Sequence, residues 1–416
     1  MNRFFYTLLL YFLRPFVLMR LRRRGKREPR YLENIPERFG KYPQPQAEGA
    51  IWLHAVSVGE TRAAAPLVER IAKSHPALPI VITSMTPTGR ETAELLYGKF
   101  ATICYLPYDY PFAVKRFLDH FRPKIGLLME TELWFNLIHL CRDASVPLYL
   151  VNARLSEKSL KKYERIRNLA GTGLRELSGI AAQTGADAKR LESLGAKHVP
   201  VCGNLKFDVE LPEKIPDFRI FLGDRPVFLA ASTREGEEER ILDAFSGTDE
   251  ILLLLVPRHP QRFGEVAKLL EDRNIPFVRR SERRPVSPET RVFLGDSMGE
   301  MPAYYSACDL AYIGGSLLPL GGQNLIEAAM LGKPALVGPH TFNFEEATRH
   351  AIESGAALRV EDAAQLAQEA KRLLKDRDSL KAMGNAGLLF SSLHRGAADR
   401  IMNLIAPALI GQTPNH

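Results

Sequence analysis

Short apolar runs alternate with longer amphipathic stretches through most of the chain, and this alternation constrains the fold more than any other feature. The pattern is typical of parallel strands joined by helices such as those expected at 62–73 and 113–121. The strands expected in the first half are 51–56, 80–83, 102–105, 125–129, 148–151 and 180–182. The pattern then restarts, with strands expected at 227–230, 251–256, 292–294, 310–313 and 335–337. The sequence therefore predicts two α/β domains, each with a parallel sheet.

The expected domain boundary lies where this pattern is interrupted, because residues 211–226 contain prolines and mixed charge without clear periodicity. We expect a linker there, a first domain over 31–210, a second domain over 227–400 and a C-terminal tail over 401–416. In open α/β sheets, ligands bind beyond the carboxyl ends of the strands. Functional residues are therefore expected in the segments that follow the strands.

Residues 1–30 differ from the rest and are expected to form a membrane anchor. The run 4–13 is mostly apolar, and it continues at 16–19 after Arg14 and the helix-breaking Pro15. A cleavable secretory signal would end in small residues, whereas this run is followed by Arg and Lys. The sequence leaves open whether the anchor spans the membrane or lies on it.

The basic residues after the apolar run favour a lipid surface over nucleic acid as the partner. Seven basic residues and one acid between positions 20 and 30 contribute +6 of the net charge of +8. A nucleic-acid-binding protein spreads its basic residues over a folded face. Here they are expected to contact the anionic headgroups of a membrane, with the remaining domains in the cytoplasm.

Three charged residues of the first half follow expected strands. Glu60 would open the helix after the first strand, Glu130 directly follows the fourth, and Lys206 lies in a later segment. An acid at a helix N-terminus and a solvated surface lysine are common structural features and would explain Glu60 and Lys206 without catalysis. Glu132 is also explained as a first-turn acid, but Glu130, next to a buried strand, is not.

The second half contains three segments suited to binding anions. Residues 232–236 and 257–260 each follow a strand and contain an arginine, and the glycine-rich stretch 314–324 leads into a helix. Backbone N–H groups at such a helix start bind phosphate. Glu327, three residues after Asn324, is suited to ribose hydroxyls. This series indicates a nucleotide site.

The sequence lacks the phosphate loop of kinases, the glycine fingerprint of dinucleotide-binding enzymes, Asp-x-Asp and any cluster of histidines or cysteines. We therefore expect a reaction that uses neither a metal nor another cofactor.

The motifs, taken together and in order, resemble those of 3-deoxy-D-manno-octulosonic acid (Kdo) transferases, over the chain up to about residue 400. They are HAVSVGE (54–60), TPTG (86–89), YLPYD (105–109), METELW (129–134), NARLS (152–156), GNLKFD (203–208), VPRHP (256–260), GDSMGE (295–300), GGS (314–316), GGQNLIEAA (321–329) and GPHTFNF (338–344). Two residues depart from the expected pattern. Phe135 replaces a proline, and Arg234 replaces a histidine.

The resemblance implies the GT-B fold, in which two Rossmann-like α/β domains face each other across a cleft. It implies that Kdo moves from CMP-Kdo to the lipid A precursor (lipid IVA) with inversion and release of CMP, at the cytoplasmic face of the inner membrane. Glu60 would be the proton acceptor, and Glu130 and Lys206 would stabilise the transition state. The residues implied to contact CMP are Pro257, Arg258, Met298, Gly299, Glu300, Asn324, Leu325, Ile326 and Glu327.

Two other functions remain as alternatives. A GT-B enzyme that uses a different sugar nucleotide, such as a lipid disaccharide synthase or an epimerase, would have the same architecture. A non-catalytic binding protein on this fold would need no base at Glu60, so the three charged residues argue against it.

Overall fold

A computed structural model describes residues 2–26, 28–208 and 210–410 and divides into two compact units. The first unit contains the chain up to Asp208 and resumes at Arg395. The second unit lies between these two parts and ends at His394.

The first unit is built around a six-stranded parallel sheet. Its strands are β1 (Ile51–His54), β2 (Ile80–Ser84), β3 (Ala101–Tyr105), β4 (Ile125–Met129), β5 (Leu148–Ala153) and β6 (Gly179–Ala182). Their order is β3-β2-β1-β4-β5-β6. This is a doubly wound sheet whose topological switch point lies between β1 and β4. These two strands are fully buried, as expected for a parallel sheet with helices on both faces.

The helices of the first unit lie before, between and after these strands in the chain. They are α1 (Arg3–Gly25), α2 (Val58–Ala63), α3 (Ala65–Ser74), α4 (Pro87–Tyr97), α5 (Pro111–Phe121), α6 (Phe135–Asp143), α7 (Glu157–Glu164), α8 (Arg167–Glu176), α9 (Gly185–Ser193) and, from the end of the chain, α18 (Ala397–Leu409). The single helix expected at 62–73 is two helices, α2 and α3. Pro66 lies in the first turn of α3, where its missing N–H breaks no helical hydrogen bond.

Helix α1 continues through Pro15, which the sequence suggested as a break. Within the described residues, α1 is the helix long and apolar enough to cross a membrane, a property that signal sequences share. Phe4 and Phe12 are each more than 70% exposed, so a large apolar surface of the helix faces away from the protein.

The second unit contains a seven-stranded parallel sheet. Its strands are β7 (Val227–Thr233), β8 (Leu252–Pro257), β9 (Phe277–Arg279), β10 (Val292–Leu294), β11 (Leu310–Ile313), β12 (Ala335–Val337) and β13 (Ala357–Arg359). Their order is β13-β12-β11-β7-β8-β10-β9, with the switch point between β7 and β11.

The helices of this unit are α10 (Arg219–Leu222), α11 (Glu237–Ala244), α12 (Gln261–Asp272), α13 (Met301–Ala307), α14 (Ile326–Met330), α15 (Glu345–Glu353), α16 (Ala363–Lys375) and α17 (Arg377–His394). All eleven expected strands are present, with ends that differ by three residues at most. The structure adds the edge strands β9 and β13, whose three residues are too few to show a periodicity.

The expected linker at 211–226 belongs to the body of the second unit. Phe218 and Leu222 are buried, and Arg219 donates a hydrogen bond to the carbonyl oxygen of Ala307 at 3.0 Å. Prolines and charges gave this segment the composition of a linker, but it contains the short helix α10, which packs on its own domain.

The expected domain end at residue 400 and the tail at 401–416 also differ from the structure, because the chain returns to the first unit at Arg395. Ile401 and Ile405 of α18 are fully buried in the core of that unit. The carboxylate of Asp208 accepts hydrogen bonds from the backbone N–H groups of Gly396 and Ala398, which satisfies donors at the start of α18. Residues 411–416 lie outside the described part of the chain.

Candidate active site

The switch point of the first sheet brings together two of the predicted catalytic residues. Glu60 lies in the first turn of α2, just after β1, and Glu130 directly follows β4. Because β1 and β4 are neighbouring parallel strands, both segments leave the same edge of the sheet. Burial raises the pKa of Glu60, and the negative charge of Glu130 raises it further, so the two carboxyl groups interact electrostatically.

Glu60 forms a capping interaction at the start of α2. Its Oε2 accepts from the N–H of Val56 at 2.9 Å, and its Oε1 accepts from the hydroxyl of Ser57 at 3.0 Å. The Ser57 hydroxyl in turn accepts from the N–H of Glu60. This resembles a capping box, except that Glu60 accepts from the N–H of Val56, the residue before the N-cap Ser57, and not from the N–H of Ser57 itself. Glu60 therefore has a structural role at the start of α2.

The pKa of Glu60 is higher than a helix-capping role alone requires. Burial, with a smaller contribution from the charges of Glu130 and Glu132, raises its pKa to about 7, although the bonds from Val56 and Ser57 oppose the shift. An exposed capping acid would be ionised well below this pH. A carboxyl group with a pKa near 7 is suited to accept a proton at neutral pH.

Residues 130–134 form a loop after β4, named the acid loop below. Its first residue, Glu130, has a strained backbone conformation. Glu130 has a φ of +58°, in the left-handed region that few residues other than glycine adopt. The N–H of Glu130 donates to the carbonyl oxygen of Val151 at 3.0 Å. The hydroxyl of Tyr163 donates to the carbonyl oxygen of Thr131 at 3.3 Å. Burial and then the charge of Glu130 raise the pKa of Glu132. Strain of this kind is common at functional sites.

The segment that carries Lys206 leaves the sheet at the same edge. Val201 forms a parallel bridge with Ala182 at the end of β6, and the chain then turns through Asn204 to the half-buried Lys206. The side chain of Asn204 accepts from the N–H of Lys206 at 3.0 Å and donates to the side chain of Gln183 at 3.0 Å. Lys206 is thus attached to the ends of the sheet through a fixed turn.

Asn152, at the end of β5, was not singled out from the sequence as a functional residue. It is fully buried with a φ of +52°, and its Oδ1 accepts from the N–H of Leu205 at 3.0 Å. Its carbonyl oxygen accepts from Gln183 at 2.9 Å, while its own Nδ2 has no hydrogen-bond partner among the described residues. The sequence did contain a signal for this residue, because Asn152 is the first residue of the NARLS motif and directly follows the expected strand 148–151.

In the second unit, the switch point between β7 and β11 is closed by a tight backbone contact. A Cβ atom on Gly314 would lie 2.4 Å from the carbonyl oxygen of Ser232, so only glycine allows this approach. Ser232 itself has a φ of +54°. The ends of the two central strands are therefore pressed together where the glycine-rich loop begins.

Glu237 organises this glycine-rich loop, and sequence reasoning missed it. The fully buried carboxylate accepts from the N–H groups of Arg234, Gly315 and Leu317 at 2.9, 2.6 and 3.1 Å. It also accepts from the hydroxyl of Tyr312 at 2.6 Å. Four donors satisfy the buried charge and fix the loops after β7 and β11 against each other.

Arg258, Asn324 and Glu327, all predicted to contact CMP, form one group. The N–H of Arg258, which follows Pro257 at the end of β8, donates to the carbonyl oxygen of Thr233 at 3.0 Å. Burial raises the pKa of Glu327, although the charge of Arg258 and a 3.4 Å hydrogen bond from Asn324 oppose the shift. The positive charge of Arg258 therefore acts on this carboxyl group.

The end of β8 is strongly basic. Burial lowers the pKa of His259, and the charges of Arg234, Arg258 and Arg262 lower it further. The charge of Arg234, the residue that departs from the expected motif, therefore acts at the same place as that of Arg258. Arg262 is already paired with Glu238 at 2.9 Å and with Glu265 at 2.8 Å. Arginines are suited to bind phosphate or carboxylate groups.

The loop from Met298 to Glu300 follows β10, which is next to β8 in the sheet. Met298 is exposed, and Gly299 has a φ of +79°. Glu300 accepts from Arg280 at 3.0 Å and from the hydroxyl of Ser297 at 2.5 Å, so its carboxylate already has partners within the protein.

Leu325 and Ile326 are almost completely buried, and the N–H of Ile326 donates to Oδ1 of Asn324 at 3.0 Å. No group of three or more His, Cys, Asp or Glu side chains that could hold a metal ion occurs in residues 2–26, 28–208 and 210–410.

Two family models match the chain. Residues 33–209 match the model of 3-deoxy-D-manno-octulosonic-acid transferase (kdotransferase), and residues 271–389 match glycosyl transferases group 1. The chain is 40% identical to the 3-deoxy-D-manno-octulosonic acid transferase of Haemophilus influenzae, over 98% of this chain and 99% of that protein. It is 42% identical to the protein of the same name from Bordetella pertussis, over 97% of this chain and 99% of that protein.

Solved structures share the fold at low sequence identity. A UDP-GlcNAc 2-epimerase from Neisseria meningitidis bound to UDP-GlcNAc has a TM-score of 0.56 and 17% identity, with 86% of this chain and 99% of that chain covered. Another UDP-N-acetylglucosamine 2-epimerase has a TM-score of 0.52 and 16% identity, with 82% and 91% covered. These likenesses show the GT-B type of fold and no more. The family matches, together with the near full-length relatives, show that the chain is a glycosyltransferase and belongs to the 3-deoxy-D-manno-octulosonic acid transferase family.

Proposed function

We propose that this protein transfers Kdo from CMP-Kdo to the lipid A precursor, lipid IVA, with inversion at the anomeric carbon and release of CMP. Family membership supports the transferred sugar. The observation that carries the proposal is Glu60, a carboxyl group with a pKa of about 7 at the switch point of a doubly wound sheet. A sugar hydroxyl is a weak nucleophile, and a base within reach accelerates its attack by about 10²–10⁴-fold.

In the proposed step, the oxygen of an acceptor hydroxyl forms a bond to the anomeric carbon of Kdo, and its proton moves to a carboxylate oxygen of Glu60. The bond between the anomeric carbon and the phosphate oxygen breaks, and its electron pair leaves with CMP. Positive charge develops at the sugar during this step. Glu130 would stabilise that charge, and Lys206 would pair with the carboxylate of Kdo.

The second unit supplies the groups that would bind the donor. The arginines at the end of β8 would bind the phosphate of CMP and stabilise its charge as it leaves. Glu327 would accept hydrogen bonds from the ribose hydroxyls, and the backbone of the loop from Met298 to Glu300 would contact the nucleotide. Because arginines supply this charge, we propose that the reaction requires neither a metal nor another cofactor.

The direct test mixes the purified protein with CMP-Kdo and lipid IVA in detergent and measures CMP release and the mass of the lipid product. We expect stoichiometric CMP and Kdo-modified lipid, with unchanged rates in excess EDTA. Nuclear magnetic resonance of the product should show the anomeric configuration opposite to that of the donor. Turnover of a UDP-sugar but not of CMP-Kdo would assign the protein to another GT-B reaction. Inhibition by EDTA that a divalent cation reverses would overturn metal independence.

We also propose that α1 binds the protein to the cytoplasmic face of the inner membrane. Its exposed apolar residues would enter the lipid, and the basic residues of its last turn, Arg22, Arg23 and Arg24, would contact anionic headgroups. Deletion of residues 1–30 should reduce sedimentation with anionic vesicles far more than it reduces CMP affinity. A truncated protein that still sediments completely would show that another surface binds the membrane.

A further inference from the structure

Helix α1 is attached to the first unit by specific polar contacts as well as by apolar packing. The hydroxyl of Tyr6 donates to Oδ2 of Asp109 at 2.8 Å, and the hydroxyl of Thr7 donates to Oδ1 of Asn136 at 2.8 Å. The ring of Tyr6 also packs edge-on against Phe135, with 5.3 Å between the ring centroids. A helix that only tethered the protein to a membrane would not need these contacts.

Asp109 connects this helix to α6. Besides the Tyr6 hydroxyl, its carboxylate accepts from the N–H of Asn136 at 3.0 Å and from the N–H of Leu137 at 2.8 Å. The Asn136 side chain donates back to the carbonyl oxygen of Asp109 at 2.8 Å. The two backbone donors lie in the first turn of α6, where they have no partner within the helix. Asp109 is only 4% exposed, so these bonds form in a region that water barely reaches.

The start of α6 is also the end of the acid loop. Trp134 is the N-cap residue of α6, and only Thr131, Glu132 and Leu133 separate it from Glu130. Leu133 is buried, and Glu130 is held at its other side by the bond to Val151. The position of the loop is therefore fixed at both ends, by β4 on one side and by the start of α6 on the other.

We propose that α1 positions the acid loop for catalysis, with Tyr6 and Asp109 as positioning residues that act through the first turn of α6. The helix proposed to contact the lipid surface is thereby part of the structure that holds Glu130 at the sheet edge where Glu60 also lies. This inference rests on the proposed function for its catalytic consequence. The physical coupling between Tyr6 and the loop is testable without it.

The test compares Tyr6→Phe with Tyr11→Phe in the full-length protein. Tyr11 lies on the same helix and packs on Tyr110 at 5.5 Å between ring centroids, and its hydroxyl makes no hydrogen bond to the residues that the structure describes. Both variants keep the ring and the apolar surface of α1. Tyr6→Phe removes only the bond to Asp109.

We expect Tyr6→Phe to lower kcat about tenfold, because a small displacement of a catalytic group slows the reaction strongly. The KM for CMP-Kdo and sedimentation with anionic vesicles should stay within twofold of the wild-type values, about the precision of such assays. Backbone amides of residues 130–137 should exchange hydrogen faster in Tyr6→Phe than in Tyr11→Phe. Tyr11→Phe should match the wild type in every measurement.

A second variant, Asp109→Asn, tests whether Tyr6 acts through Asp109. In a double-mutant cycle, the kcat losses of Tyr6→Phe and Asp109→Asn should not multiply, because both act on the same contact. Equal kcat and equal exchange in Tyr6→Phe and Tyr11→Phe would overturn the proposal. So would a loss of vesicle binding with unchanged kcat in detergent. If the wild type does not turn over CMP-Kdo, the proposed function fails, and the exchange measurement alone decides the coupling.

Discussion

Glu60 caps a helix and is the proposed base, and both roles use the same carboxyl group. As an acid in the first turn it stabilises α2 and accepts from the N–H of Val56 and the hydroxyl of Ser57. Burial nevertheless raises its pKa to about 7, against the effect of these bonds. The cap therefore orients the carboxyl group, while burial makes it basic enough to accept a proton.

The raised pKa of Glu60 predicts a pH dependence of activity. A base acts only when it is ionised, so kcat/KM should rise with pH through about 7 and level off about one unit above it. Glu132→Gln removes a negative charge that raises this pKa, so it should move the midpoint to lower pH. The measurement is kcat/KM from about pH 5 to about pH 9 for both proteins. A wild-type profile that is flat across this range would contradict the role of Glu60 as base.

At the scale of single elements, two helices at the ends of the chain behave differently from what local sequence suggested. Helix α1 was expected as an anchor apart from the domains, yet Tyr6 and Thr7 bind it to the first unit. Helix α18 was expected to be a tail and instead fills part of the core of that unit. Tertiary contacts of this kind carry no local sequence signal.

The attachment of α18 predicts a loss of stability when Asp208 is replaced. Asp208→Ala leaves the N–H groups of Gly396 and Ala398 without their acceptor, so the free energy of unfolding should fall by about 1–3 kcal/mol. Asp224→Ala, at an exposed position of the second unit, should change it by less than about 0.5 kcal/mol. Urea unfolding of both variants, followed by circular dichroism, measures the difference. Equal midpoints for the two variants would show that Asp208 does not hold the helix.

Much of the fold was predictable because parallel strands are buried on both faces and form apolar runs such as 125–129 and 310–313. The rule that ligands bind beyond the carboxyl ends of parallel strands directed attention to Glu60, Glu130 and Arg258, which follow strands. Glu237 was missed because nothing local distinguishes this buried residue from Glu235 and Glu239, which are exposed. Asn152 was missed because its importance depends on contacts with residues about 30 and 50 positions away.

At the scale of the whole molecule, the two predicted functions are divided between the units. The acids and Lys206 lie at the sheet edge of the first unit, and Arg258 and Glu327 lie at the sheet edge of the second. Each group is built within its own unit. Loss of the base should therefore leave the nucleotide site intact, and this separation allows catalysis and CMP binding to be tested on one variant.

The most direct test of the account is the effect of Glu60→Gln on kcat and on CMP affinity. Glutamine keeps the length of the side chain and an oxygen that can accept from the N–H of Val56, and its NH2 group can donate to the Ser57 hydroxyl. The melting temperature should therefore change little, but an amide cannot accept the acceptor's proton. We predict that kcat falls about 100-fold or more while CMP affinity stays within about twofold. Glu69→Gln, at an exposed position of α3, should behave as the wild type. Near-normal kcat in Glu60→Gln would contradict the account and leave Glu60 a cap alone.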